Sequence, residues 1–124
     1  MDTPALALIA ARPMSLRYSL LALLARLPQI DSIQSVEDTR SMLAIMSVTQ
    51  PDLVVLDINL LGNDRSSVLA QIKANAPCAC VVVLVDQIEQ QQELLAMPAN
   101  LVLLKGYPAA ELFSRIEQLL AQED

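Results

Sequence analysis

The residues most able to do chemistry in this chain are two aspartates and a lysine, each closing a run of apolar residues. Asp57 follows Leu53–Leu56, Asp86 follows Val81–Val85, and Lys105 follows Leu101–Leu104. A carboxylate held at such a point can ligate a hard cation or pair with an ammonium group. Histidine is absent, which removes the usual general base and the commonest metal ligand. Cys78 and Cys80 stand two residues apart, so a bridge between them would be badly strained. They read as small residues leading into a strand, which suits a reducing cytoplasm. No complete catalytic site is visible, and the chain is not expected to be an enzyme.

These positions need a scaffold, and the pattern of the chain supplies one. Buried parallel strands read as continuous apolar runs. Four stand out at Ala5–Ala10, Leu53–Leu56, Val81–Val85 and Leu101–Leu104, with a weaker fifth around Ser32–Val36. Helical patterns lie between them. In Ser15–Leu27 the residues Leu16, Leu20, Leu23, Leu24 and Leu27 share one face, leaving Tyr18 and Leu21 outside it. Asp38–Thr49 is apolar on most sides, and its Met42 and Met46 read as core filler. A third helix, capped by Asp64 or Ser66, runs to about Ala74. A fourth, about Gln90–Met97, is glutamine-rich, poorly capped and ended by Pro98. Ala109–Gln122 turns Leu112, Phe113, Ile116, Leu119 and Leu120 inward. Strands alternating with helices predict a doubly wound parallel sheet with right-handed crossovers, in one domain over 1–124.

Composition narrows the function. The 124 residues are 54% hydrophobic, but only Tyr18, Tyr107 and Phe113 are aromatic, so the core is aliphatic. Fourteen acidic residues against eight basic ones give a net charge of −6. The basic residues are scattered, which argues against direct nucleic-acid binding. The longest uncharged run, between Lys73 and Asp86, has 12 residues, short of the ~20 needed to span a bilayer. No membrane association is expected. A flavin site would need a phosphate-cradling loop. The first loop, Ala10–Ser15, has no glycine, and the chain holds only Gly62 and Gly106.

In an open α/β sheet, ligands bind outside the carboxyl ends of the strands, where Ala10, Ala11, Asp57, Val85, Asp86 and Lys105 fall. At this point the segments LVVLDINLLGND and LVLLKGYP, with AARPM after the first strand, resemble the receiver domain of bacterial response regulators. The resemblance covers nearly the whole chain in element order. It implies a flavodoxin-like three-layer αβα fold, with five strands in the order 2-1-3-4-5 and five flanking helices. It makes Asp57 the candidate phospho-acceptor and Lys105 the candidate phosphoryl contact.

Set against that family, several positions depart. A working receiver uses two carboxylates after strand one to help hold magnesium; Ala10 and Ala11 stand there, facing the cleft. Val85 replaces the strand-four hydroxyl, Val102 the strand-five aromatic, and Leu61 the usual proline after the acceptor. Only Asp57 and Asp86 remain as weak candidates for a metal, so no cofactor and at most weak Mg²⁺ binding are expected. The favoured reading is a degenerate receiver acting as a phosphorylation-independent interaction module in two-component signalling. The alternative is an active receiver phosphorylated on Asp57 by a histidine kinase through a non-standard site. Expected partners are proteins, whether a signalling protein, an output domain or a kinase. A homodimer through helix one with helix five, or through the fourth and fifth helices, is also expected.

Overall fold

A computed structural model describes residues 5–122. The apolar runs become β1 (Leu6–Ala10), β2 (Ser32–Val36), β3 (Leu53–Asp57), β4 (Cys80–Val85) and β5 (Leu101–Leu104). Between and after them lie α1 (Met14–Leu24), α2 (Thr39–Thr49), α3 (Arg65–Asn75), α4 (Ile88–Leu94) and α5 (Ala109–Gln122), with one 3₁₀ turn at Ile58–Leu60. The strands are parallel and ordered β2-β1-β3-β4-β5. This is the flavodoxin-like sheet that the pattern and the resemblance predict.

The central strands must be apolar throughout because helices cover both faces. Along β1, β3 and β4 successive side chains go to opposite sides. Leu8, Val54, Leu56, Val81 and Val83 pack with Met42 and Met46 of α2, Leu69 and Ile72 of α3 and Leu94 of α4. Ile9, Val55, Val82 and Leu84 pack with Leu20, Leu23 and Leu24 of α1 and with Leu112 and Ile116 of α5. Both methionines are fully buried, while Tyr18 and Leu21 lie outside the core at 64% and 39% exposure.

Two helix ends differ from expectation, and at a third the structure selects one of two expected caps. The first helix stops at Leu24 rather than Leu27. Arg26 and Leu27 donate instead to Leu23 and Leu24, three residues back, because Pro28 disfavours helical geometry in the residue before it. Leu27 stays buried nonetheless. The third helix is capped by Asp64, whose carboxylate accepts from the Ser67 N–H at 3.3 Å. The fourth runs over Ile88–Leu94 and is not poorly capped. The Gln90 side chain folds back to accept from the Asp86 and Gln87 N–H groups at 2.8 and 3.0 Å, which satisfies two orphan donors at once.

Candidate functional site at the strand ends

Asp57, Asp86 and Lys105 meet because β3, β4 and β5 are neighbours in the sheet. Asp57 lies in register with Leu84, and the Lys105 N–H donates to the Val85 carbonyl at 2.9 Å. The lysine stem therefore starts two strands from Asp57, about 10 Å away at ordinary strand spacing, and reaches back over β4. Its Nζ ends 2.7 Å from Asp57 Oδ1 and 2.9 Å from Asp86 Oδ1.

The backbone after β3 is shaped to hold this arrangement. Asp57 Oδ1 also accepts from the Asn59 N–H at 3.1 Å, which caps the 3₁₀ turn. The Asn59 side chain then donates to Asp86 Oδ2 at 3.3 Å, tying the loop after β3 to the loop after β4. Gly62 closes the turn at a φ of +67°, a conformation that favours glycine. Asn59 escaped the reading of the sequence. Its signal was an aspartate followed two residues later by a polar residue, the spacing of a side-chain-to-backbone turn.

The charges are unequally exposed. The Asp57 side chain is 1% exposed, that of Lys105 21% and that of Asp86 44%. Asp57 Oδ2 is buried and makes no hydrogen bond. Burial by itself would pull the Lys105 ammonium down. Its hydrogen bonds and charge attraction to Asp57 and Asp86 more than offset that and hold it above the ordinary 10.5. The hydrogen bond from Lys105 draws Asp86 below its ordinary 3.8 against a smaller cost of desolvation, with help from Asn59. Two carboxylates share one ammonium, so the cluster carries net negative charge.

The remaining sequence-derived positions lie inside the protein. Ala10 and Ala11 do not face an open cleft: both are fully buried, Ala10 in the core beneath α2 and α3, Ala11 in the core beneath α1 and α5. Alternation at the end of a central strand sends adjacent side chains to opposite layers. Val85 and Val102 are buried in the same layer as Ala10, and the Val102 carbonyl accepts from the Gln91 side chain at 2.9 Å. Leu61 is buried too. Among the described residues, no three cysteine, aspartate or glutamate side chains converge as a metal-binding group.

A doubly wound sheet with an aspartate and a lysine joined across its strand ends defines a class of domain, and sequence comparison narrows it. Residues 14–117 match the response regulator receiver domain, and the chain belongs to that family, a module of two-component signalling. No curated protein matches the chain. Solved structures similar to it include a LuxR-family two-component response regulator from Aurantimonas (20% identity, TM-score 0.82, 98% of this chain and 88% of that one). A CheY-like receiver domain protein from Methanospirillum hungatei is similar over 98% of this chain and 97% of its own, at 15% identity and a TM-score of 0.80. NtrX from Brucella abortus shares 25% identity at a TM-score of 0.82, over 98% of this chain but 28% of its own.

Proposed function

We propose that this receiver domain is a degenerate one, working as a protein-interaction module whose state does not depend on phosphorylation of Asp57. The observation that carries the reading is the occupation of Lys105 by two carboxylates at 2.7 and 2.9 Å. Magnesium demands a near-octahedral set of oxygens. The residues here do not fit it, because Asp57 Oδ1 and Asp86 Oδ1 are turned to the ammonium, and Ala10 and Ala11 have no side-chain oxygen. A phosphoryl group approaching Asp57 without a divalent cation meets two carboxylates unscreened. Val85 has no hydroxyl for a phosphoryl group to pull, and Val102 has no ring to move. Without contacts that differ between two states, no population shift follows.

In this reading the domain is not an enzyme, holds no resident cofactor and is cytoplasmic. Its partners are proteins: a signalling protein, a histidine kinase or an output domain. A homodimer belongs to the same proposal. Met14, Tyr18 and Leu21 are exposed at helical spacing along α1, and a groove of about 290 Å³ between α1 and α5 is lined by residues that include Ala22, Leu23 and Phe113. Ile88 and Leu95, 55% and 75% exposed, offer apolar contacts near the α4 face.

Amide NMR spectra recorded with magnesium and beryllofluoride, a phosphoryl mimic, test the proposal. Wild type and Asp57→Asn should respond alike, with no saturable shifts in α4 or β5. Magnesium-dependent shifts there, lost in Asp57→Asn, would favour the alternative reading of a phosphorylated Asp57.

A further inference from the structure

The strand-end cluster contains one more charge relation than an aspartate–lysine pair requires. Lys105 Nζ lies between two carboxylate oxygens, at 2.7 and 2.9 Å. Those separations exceed by only a few tenths of an ångström the ~2.3–2.6 Å at which calcium takes oxygen ligands. The second carboxylate is held in place, since Asn59 donates to Asp86 Oδ2 and the Asp86 N–H is fixed by Gln90. The other Asp57 oxygen, Oδ2, is buried and makes no hydrogen bond, so the contact runs through Oδ1 alone. Oxygens from two adjacent strand ends thus converge on one point, and a tethered ammonium fills it.

We propose that Lys105, clasped by Asp57 and Asp86, is a built-in cation that takes the place of a bound divalent ion. Asp86 is the positioning residue. It holds the ammonium over the acceptor aspartate and ties the loops after β3, β4 and β5 into one arrangement that needs no metal. The inference rests on the phosphorylation-independent reading and gives it a physical basis. A free divalent ion would have to displace a charge that cannot diffuse away, and it would meet that positive charge at close range.

The test removes the tethered charge and asks whether a free ion takes its place. Mn²⁺ binding to the full chain, followed by electron paramagnetic resonance, is compared in wild type, Lys105→Ala, Lys105→Met and Lys105→Ala with Asp86→Asn. Lys105→Ala and Lys105→Met should bind Mn²⁺ at least about tenfold more tightly than wild type. Adding Asp86→Asn should erase the gain. Because loss of the lysine leaves a buried carboxylate unpaired and threatens folding, Asp86→Asn alone gives an independent reading. There the Lys105 ammonium protons, followed by ¹⁵N NMR, should exchange at least about tenfold faster, having lost one of two anchors. If the lysine variants gain no Mn²⁺ affinity, or if Asp86→Asn leaves ammonium exchange unchanged, the built-in cation is wrong while the phosphorylation-independent reading survives. Saturable Mn²⁺ binding by wild type, abolished by Asp57→Asn, would overturn both.

Discussion

Replacing Lys105 by methionine keeps most of the stem and deletes the charge, leaving the Asp57 side chain 1% exposed and without its ammonium partner. Breaking a buried ion pair from one side costs ~3–5 kcal/mol, because the remaining charge is desolvated and uncompensated. Two features place the effect at the lower end. Lys105 is 21% exposed, so water can enter behind the missing head, and Asp57 keeps the hydrogen bond from the Asn59 N–H. The expected loss is about 3 kcal/mol, read as a lower urea midpoint at unchanged slope in buffer containing a chelator. The double variant Lys105→Met with Asp57→Leu removes both charges and the unbonded Oδ2 together. Apolar replacement of a buried pair is often neutral, so the double variant should return to within ~1 kcal/mol of wild type, a recovery of about 2 kcal/mol over the single variant. A loss below about 1 kcal/mol in the single variant, or a double variant no better than the single, would refute the reasoning.

Three further outcomes are expected. The cluster's pH dependence has a definite sign. Asp86, lowered from 3.8, contributes stability above that value and loses it as pH falls through the folded value beneath. Lys105, raised from 10.5, contributes below that value and loses it as pH rises through the folded value above. Melting curves should therefore show no contribution to slope from this pair between them, and Asp86→Asn should remove the acid-side loss and reduce the alkaline-side one, because Asp86 also helps to raise Lys105. Light scattering should detect a dimer in wild type and Asp57→Asn alike. Tyr18→Glu or Leu21→Glu should weaken it at least tenfold if α1 forms the interface, whereas no effect would move the contact to the α4–α5 face. Leu56→Ala, at a fully buried position in β3, should cost ~2–5 kcal/mol in urea unfolding; a loss under about 1 kcal/mol would contradict the packing described.

The strands were legible because their chemistry is one-dimensional. Val54, Val55, Val81, Val82 and Val83 are apolar on both alternating faces, which only a doubly covered sheet requires. The pairing of Asp57 with Lys105 followed once adjacent strands were aligned at their carboxyl ends. The rest of the site was less visible because it depends on side chains reaching across loops. Asn59 joins Asp57 and Asp86 through its backbone and its side chain; the aspartate two residues before it marks the backbone bond, but nothing local marks the side-chain reach to Asp86. The cap on α4 was missed for a similar reason. Gln90 supplies it from inside the helix by folding back, whereas short polar residues just before a helix are the usual signal. Position alone puts Ala10 and Ala11 at the cleft, but small side chains at the end of a central strand are absorbed into the core layers on either side.

The central claim, that Asp57 is not a working phospho-acceptor, is tested most directly by intact-mass spectrometry after incubation with magnesium and a small-molecule phosphodonor. The chain should keep its unmodified mass at every time point, under conditions that fully label a receiver with an intact acidic pair. A phosphoryl adduct that forms on wild type and is absent from Asp57→Asn would contradict it.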